Sequence, residues 1–465
     1  MISMLIMIAA STVLTALGTF KHLSGWTVLG VIAFILTLTS CCYQPDLPWL
    51  DSLMLQLPLS HAVVWVLWGH LLFYLIFSSG VLLRKHHAIG EYVILVLCAY
   101  LGMMVVVSTT HLLVWFVGLE LMSLSLYGLV ALGHQTSRLE AALKYLVTGS
   151  MASLMILMGI FWSYLGTGTL DGAMLFNHMN TLLSSTSATT SCVLGVVFLL
   201  SGLAFKLGLF PFHWWVPDIY EGTAPNTTVL IASAPKLAIT CFLIQWTQQL
   251  GGLSETWAQP LLIMGVASVV VGNGLAILQT RMSRLLGYSS VAHMGFVALG
   301  IWAGGHYGLI AAIFYTVVYV YLTTLIVGQW SLLEKDGRPV VFIKDFNGWS
   351  VSMLGSMILL VIAFLGLSGL PPLLGFFPKL AIFNAMLHSG YSWAVMLTTL
   401  VVVMTVLGIY YVINIVRNIF FSEQKQSSLQ LISIESQFLL WVSLSIMMVF
   451  TLFPQSMITW ISNLI

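Results

Sequence analysis

The sequence predicts an all-α polytopic membrane protein with about fourteen transmembrane helices. Of its 465 residues, 59% are hydrophobic and only 6% are charged. Soluble domains carry about 25% charged residues, so the composition excludes a soluble globular protein. The net charge of +1 and the lack of a basic run give no electrostatic basis for nucleic-acid binding.

The predicted helices are apolar runs of about the 20 residues that a spanning helix needs. The first run starts at Met1 without a basic region or a cleavage site, so we expect a retained helix and not a signal peptide. The run at 352–388 is too long for one straight helix and is interrupted at Gly369, Leu370, Pro371, Pro372 and Gly375, which predicts a broken helix. The runs fall near residues 2–19, 24–41, 62–83, 91–108, 110–132, 141–165, 190–216, 225–249, 259–279, 284–304, 307–332, 352–388, 391–418 and 436–461.

The positions of the basic residues support this topology, because Lys and Arg gather in cytoplasmic loops. Of the 15 basic residues, eleven lie in odd-numbered loops: Lys21, Arg84, Lys85, Arg138, Arg281, Arg284, Lys335, Arg338, Lys344, Arg417 and Lys425. This alternation predicts that both termini lie on the periplasmic side. The other four are lysines inside predicted spans: Lys144, Lys206, Lys236 and Lys379.

Two of these lysines, Lys206 and Lys236, lie near mid-membrane in neighbouring spans, where one lysine costs about 3 kcal/mol. Lys236 follows Pro225 by eleven residues, or roughly 16 Å at the rise of an α-helix. Glu120 is the one acid at similar depth, roughly 14 Å into its span. Each buried charge needs a partner, an aqueous cavity or a neutral state.

Glu120 and Lys206 are therefore the candidate proton switch. A carboxylate that moves toward or away from a buried lysine changes whether the lysine holds its proton. Lys236 and Lys379 are the candidate onward relay. The alternative is that Glu120 and a lysine form a static ion pair that fixes helix register, although buried pairs rarely add stability.

Prolines accompany three of these lysines. Pro211 follows Lys206 by five residues, and Pro378 immediately precedes Lys379, as Pro235 precedes Lys236. A proline inside a helix removes a backbone hydrogen bond, so we expect helix breaks at Pro211, at Pro371 and Pro372, and at Pro378. Transporters place ion sites at such mid-membrane breaks.

Histidines are further candidates, because imidazole titrates near neutral pH. His213 and His293 are candidate proton relays, with a hydrogen-bonded packing role as the alternative for each, whereas His70 has no polar neighbours in the sequence. Lys144 lies near the start of its span and can extend toward the loop of Arg138 and Glu140. The five cysteines show no spacing for a metal, cluster or disulfide framework: Cys41, Cys42, Cys98, Cys192 and Cys241.

Five stretches resemble the antiporter-like subunits of respiratory complex I, from about Glu91 to Arg417. They read WFVGLELMSLSLYGLVAL, EAALKYLVTGSMASLMILMGI, GLAFKLGLFPFHWWVPDIYEGTAPNTT, RLLGYSSVAHMGF and LSGLPPLLGFFPKLAIF. The resemblance implies two inverted five-helix repeats, each with a broken helix, in an antiporter-like fold. The implied units are helices 1–3 in 1–90, the repeats in 91–249 and 250–420, and helix 14 in 421–465.

The same resemblance implies roles for individual residues. Glu120 and Lys206 match the pair of the first channel, Lys236 the central lysine and Lys379 the terminal lysine of the second half-channel. His293 and Lys144 also fall on positions of the family's motifs. Lys379 lies where subunit M of the family has a glutamate, and the long lateral helix of subunit L is not expected here. These features favour the remaining branch of the family.

The implied function is proton translocation within NADH:quinone oxidoreductase of the bacterial inner membrane, coupled to quinone reduction elsewhere in the complex. The chain itself is expected to hold no cofactor, and NADH, FMN, iron–sulfur clusters and quinone are expected in partner subunits. The expected partners are subunit M, the small subunits of the membrane arm and the lipid bilayer. The alternatives are an Mrp-type cation/proton antiporter subunit and a structural subunit without its own proton path.

Overall fold

The described structure is a bundle of long helices, obtained as a computed structural model. It covers residues 58–464 except 83–88, 134, 173, 176–177, 179–189, 250–254, 336, 347–352, 422–428 and 432–433. The helices are α1 (Pro58–Leu82), α2 (Ile89–Ser108), α3 (Leu112–Ala131), α4 (Thr136–Thr167), α5 (Thr190–Leu207), α6 (Trp215–Gly222), α7 (Pro225–Ala232), α8 (Ala234–Gln249), α9 (Glu255–Ile277), α10 (Met282–Ala303), α11 (Gly305–Ser331), α12 (Leu354–Ser368), α13 (Phe376–Leu387), α14 (Ala394–Phe420), α15 (Ile434–Leu452) and α16 (Pro454–Ser462).

The predicted all-α membrane fold is confirmed. Within the described ranges, ten helices are long and apolar enough to cross a membrane, or eleven if α15 and α16 form one bent span. Helices also lie at every predicted span from 62–83 onward, and the predicted spans at 2–19 and 24–41 fall outside the described residues. The count of fourteen spans and the division into two repeats remain predictions.

The centre of the bundle is formed by α7 with α8, α10 and α11. Of their apolar stretches, 100%, 94% and 89% of the residues are buried, compared with 28% for α14. Helices that are apolar on all sides are buried by protein or by lipid, so α14 is a peripheral helix with a lipid-facing or partner-facing surface. Helices α7 and α8 pack directly against α11.

Short backbone pairings show which loops share a face of the bundle. Strand β1 (Leu333–Lys335) pairs antiparallel with β2 (Arg338–Pro339) and with β3 (Leu429–Leu431), so the loops after α11 and α14 meet. A bridge between Arg281 and Phe342 joins the loop after α9 to the loop after α11. These are predicted odd-numbered loops, and their common face agrees with the alternation of basic residues.

The helix breaks begin at glycines and not at prolines. Helix α5 ends at Leu207, and Gly208 and Leu209 donate N–H bonds to Phe205 and Ala204 carbonyls at 2.9 and 2.8 Å. Gly208 has φ of +77°, so this is a Schellman end. Helix α12 ends in the same way, with Gly369 and Leu370 bonded back to Gly366 and Leu365. In both cases a proline follows within three residues and prevents the helix from resuming.

Three expectations about breaks need correction. Pro378 does not break a helix, because it lies in the first turn of α13, where its missing N–H has no helical partner to lose. The span at 225–249 is interrupted at Ser233, whose φ and ψ are −117° and −89°. The span at 436–461 bends by 81° where Pro454 begins α16.

Candidate functional site

The first charge pair inside the helical bundle lies between α3, α4 and α5. Lys206 Nζ is 4.0 Å from Glu120 Oε1, and the two side chains are 8% and 26% exposed. Lys206 Nζ also donates to Ser123 Oγ at 2.7 Å, and Ser153 Oγ donates to Glu120 Oε1. Glu120 and Ser123 are one turn apart on α3 and therefore share a face. Each charge has its own hydroxyl partner, so the contact between Glu120 and Lys206 can open without leaving either group unpaired.

The broken helix explains how Lys206 is held at this depth. Lys206 is the last residue but one of α5, and the C-terminal end of a helix carries a partial negative charge that favours a cation. The Trp215 indole N–H donates to the Phe205 carbonyl at 3.0 Å and adds a second donor beside the Gly208 N–H, so the aromatic turn is bonded to the broken end. The lysine is thus held at a fixed helix end beside a separable carboxylate.

Lys236 lies at the start of α8 and is 2% exposed. Its Nζ donates to Ser290 Oγ on α10 and lies 3.5 Å from Tyr319 Oη on α11, and Tyr319 donates to Ser290 Oγ at 2.8 Å. Among the residues whose structure is described, no carboxylate lies within 4.0 Å of Lys236. The Lys236 ammonium group is therefore hydrogen-bonded by hydroxyl groups.

A cavity of about 20 Å³ connects the first two lysines, with Lys206, Lys236, Ser123, Tyr127 and Pro235 in its wall. One water needs about 10 to 15 Å³ of such space and two to four polar partners. The cavity therefore has room for one water beside Lys206 and Lys236, with Ser123 and Tyr127 also in its wall.

His293 and Lys379 continue the line beyond Lys236. His293 Nδ1 lies 2.7 Å from Tyr315 Oη, and its ring centroid is 5.3 Å from that of Tyr319. A second cavity of about 10 Å³ joins His293 to Pro378 beside the second helix break. Lys379 Nζ donates to the Ser368 carbonyl at 2.6 Å. This carbonyl ends α12, so Lys379 occupies the negative end of a helix.

Comparison with known proteins identifies the family. The family described as NADH:quinone oxidoreductase/Mrp antiporter, TM, matches residues 109–408. The chain belongs to this family. It is 38% identical over 341 residues to NADH-quinone oxidoreductase subunit N of Laribacter hongkongensis (strain HLHK9), covering 73% of this chain and 69% of the relative. The predicted resemblance to the antiporter-like subunits of complex I, and to subunit N as the remaining branch, is confirmed.

Two solved structures have the fold of this antiporter family. A chain of respiratory complex I from Thermus thermophilus with bound Aureothin has a TM-score of 0.80 and 26% identity, with 98% of each chain covered. A chain of the Mrp complex from Dietzia sp. DQ12-45-1b has a TM-score of 0.81, 18% identity, and coverage of 99% of this chain and 95% of that chain. The fold is thus common to complex I and Mrp proteins, and sequence identity favours subunit N.

Two of the predicted site residues lie apart from the line of buried lysines. Lys144 is on the outer face of α4, where its Nζ pairs with Glu140 at 2.6 Å and both side chains are more than half exposed. This agrees with its predicted extension toward the loop. His213 lies on the turn between α5 and α6, with its ring stacked on Phe210 at 5.5 Å. Their roles in this antiporter-family chain remain predictions.

Several residues of the site were not found from the sequence. Asp218 and Glu221, which had no assigned role, lie in α6 and pair with Arg284 at 2.9 and 2.8 Å. Ser123, Ser290 and Tyr319 hold the lysines and had no assigned role. A signal was present, since Ser123 and Ser290 lie three residues from Glu120 and His293 and so share their helix faces. His70 has no polar neighbours in the sequence but has one on another helix, because its Nε2 lies 2.9 Å from Thr324 Oγ1.

The second break provides a testable link between backbone and lysine. Gly369 has φ of +80°, and a Cβ there would lie 3.0 Å from Lys379 Nζ. We expect Gly369→Ala to destabilise the protein by about 1–2 kcal/mol through the left-handed backbone and also to displace Lys379. Thermal unfolding and proton pumping of the assembled complex measure the two effects. Gly390→Ala is the matched control, because φ is +81° but nothing lies within 4 Å of the added Cβ. Equal pumping in both variants would contradict the displacement of Lys379.

Proposed function

We propose that this chain is a proton-translocating membrane subunit of an NADH:quinone oxidoreductase. The observation that carries the proposal is the Glu120–Lys206 pair at a helix break, with Lys236 in the wall of the adjoining cavity. The relatives named subunit N support the choice of complex. NADH, FMN, iron–sulfur clusters and quinone belong, in this proposal, to partner subunits, and no electron transfer takes place in this chain.

The switch depends on the distance between Glu120 and Lys206. Two unit charges about 4 Å apart attract by about 4 kcal/mol at an effective dielectric constant of about 20. This attraction favours a charged Lys206 while Glu120 is close. When α3 or α5 shifts and the distance grows, Lys206 loses that attraction and its proton can leave toward the cavity. Ser153 and Ser123 keep the separated carboxylate and amine hydrogen-bonded.

The onward path uses groups that can both donate and accept a proton. A water in the cavity passes the proton from Lys206 to Lys236. Ser290 and Tyr319 hydrogen-bond Lys236, and His293 lies beside Tyr319 on the way to the second break. Lys379 receives the proton there and holds it against the Ser368 carbonyl. The order of these groups follows their contacts in the fold.

The basic loops and the exposed helix faces indicate the membrane, the orientation and the partners expected for this chain. We place it in the bacterial inner membrane with both termini on the periplasmic side, because the basic odd-numbered loops then face the cytoplasm. Its partners are the other membrane-arm subunits, including subunit M. The exposed apolar faces of α4 and α14 are available for such contacts and for lipid.

The second candidate is an Mrp-type cation/proton antiporter subunit, which the likeness to the Dietzia Mrp chain favours at the level of fold. We expect the purified chain in liposomes to show no sodium-driven proton flux, because the switch requires a trigger from partner subunits. Flux is followed with a pH-sensitive dye inside the vesicles after a sodium jump. An added sodium/proton ionophore provides the positive control.

A second measurement tests whether the chain is part of a quinone-reducing complex. An affinity-tagged chain purified from its own membranes should carry NADH-dependent quinone reduction with it. Robust sodium-driven flux by the isolated chain, together with no associated quinone reduction, would favour the antiporter and overturn the proposed function.

A further inference from the structure

His70 connects α1, α2 and α11 with the break between α7 and α8. It lies on α1, before the region that matches the family. Its Nδ1 hydrogen-bonds the Tyr100 hydroxyl of α2, and its Nε2 lies 2.9 Å from Thr324 Oγ1 of α11 and 3.1 Å from Ser233 Oγ. Tyr100, Thr324 and Ser233 are all buried. A histidine with three buried polar partners is held in one orientation by its hydrogen bonds. His70 lies outside the part of the chain that matches the family.

The other hydrogen bonds of Ser233 and Thr324 indicate which atoms donate in the contacts with His70. Ser233 Oγ donates its proton to the Val229 carbonyl at 2.5 Å, and Thr324 Oγ1 donates to the Val320 carbonyl at 2.7 Å. With each hydroxyl hydrogen directed at its own carbonyl, both oxygens are assigned as acceptors from His70. The Nε2 atom therefore carries the hydrogen, and Nδ1 of the neutral ring accepts from Tyr100. One N–H of His70 thus ties Ser233 to α11.

Ser233 is the residue at which α7 gives way to α8. The ladder of α-helical bonds is interrupted there, with the Ser233 N–H bonded to the Leu230 carbonyl at 3.2 Å and the Lys236 N–H bonded to the Ser233 carbonyl at 3.1 Å. These i→i−3 bonds have poorer geometry than helical ones. The backbone of Lys236 therefore depends on Ser233, and the Ser233 side chain is in contact with His70.

We propose that His70 is a positioning residue that holds the Ser233 break against α11 and thereby sets the place of Lys236. The expected effect of His70 on proton pumping rests on the proposed function, whereas its effect on the backbone at Ser233 does not. A lysine that must reach both the Lys206 cavity and Ser290 needs a fixed backbone, because misplacement by about 1 Å can cost about a hundredfold in rate.

The test is amide hydrogen exchange in the assembled, detergent-solubilised complex. We expect His70→Phe to accelerate exchange in the segment 230–237 about tenfold, because contacts to two buried oxygens are lost. His70→Gln should restore most of the protection, since its amide can donate to the same oxygens. His306→Phe is the control, because His306 is an exposed histidine at the start of α11. Proton pumping is expected to fall about tenfold in His70→Phe and to recover in His70→Gln.

A second variant covers the case in which His70→Phe does not assemble. Ser233→Ala removes the partner hydroxyl with little change in volume and should accelerate exchange in the same segment. If both single variants assemble, the double variant should add little to either, since they break one contact. Unchanged exchange in Ser233→Ala, or full additivity of the two changes, would overturn the role of His70.

The two measurements, proton pumping and hydrogen exchange, test the proposed function and the role of His70 separately. If Lys206→Ala abolishes pumping while His70→Phe changes neither exchange nor pumping, only the role of His70 is overturned. If Lys206→Ala leaves pumping intact, the proposed function is overturned, and the exchange result still decides whether His70 holds the break.

Discussion

Replacing Lys206 by alanine is expected to lower NADH-driven proton pumping about tenfold or more. The change removes an attraction of about 4 kcal/mol at an effective dielectric constant of about 20, and each 1.36 kcal/mol corresponds to about tenfold in proton occupancy. Quinone reduction should fall with pumping, because a blocked proton step stops a coupled cycle. Proteoliposomes of the assembled complex, with a pH-sensitive dye and NADH absorbance, report both rates.

Two further variants separate a switch from a static ion pair. Lys344→Ala changes an exposed loop lysine and should leave both rates unchanged. In Lys206→Met combined with Glu120→Gln, neither charge remains unpaired, so a static pair predicts recovered stability and activity. A proton switch predicts recovered stability but no pumping. Full pumping by this double variant would show that Glu120 and Lys206 have only a structural role.

Replacing Lys236 by methionine is expected to abolish pumping with little loss of stability. The lysine is 2% exposed and bonded to hydroxyls, and methionine has a similar length without the ammonium group. Replacing buried charges by apolar groups of similar volume is often neutral or stabilising. Thermal unfolding and proton pumping of the assembled complex measure the two predictions.

Lys236→Arg provides the matched comparison, because it keeps the positive charge but does not release its proton. A relay requires a proton that can leave, so this variant should also fail to pump. Normal pumping by an assembled Lys236→Arg complex would show that Lys236 supplies a fixed charge, and the relay would then not pass through it.

The lysines could be found from the sequence because of what they cost. A charge inside an apolar run is expensive in a membrane, so Lys206, Lys236 and Lys379 stood out once the loop residues were set aside. The helix ends were also visible in principle, since Gly208 and Gly369 each start a Gly-Leu-x-Pro stretch. The first break was predicted at Pro211 and begins three residues earlier, at Gly208. The second begins at Gly369, as predicted, whereas Pro378 lies in the first turn of a helix and breaks none.

The hydroxyl partners could not be found in this way. Ser290 is 54 positions from Lys236 in the chain, and Thr324 is 254 positions from His70. Serine and threonine are ordinary in membrane helices, where their hydroxyls commonly bond the preceding turn. Only the packing of α1, α8, α10 and α11 decides which of these hydroxyls meets a lysine or a histidine.

The two broken helices hold their lysines by different kinds of negative charge. Lys206 lies beside the carboxylate of another helix, and such a partner can withdraw. Lys379 instead bonds a main-chain carbonyl at the end of α12, and that oxygen is part of the break itself. In the proposed path, one end is therefore a gate that opens and closes, and the other is a terminus of constant affinity. In such a path the proton affinity of Lys206 changes during the cycle, whereas that of Lys379 stays constant. Protons then move in one direction only, because only the Lys206 end responds to the driving reaction.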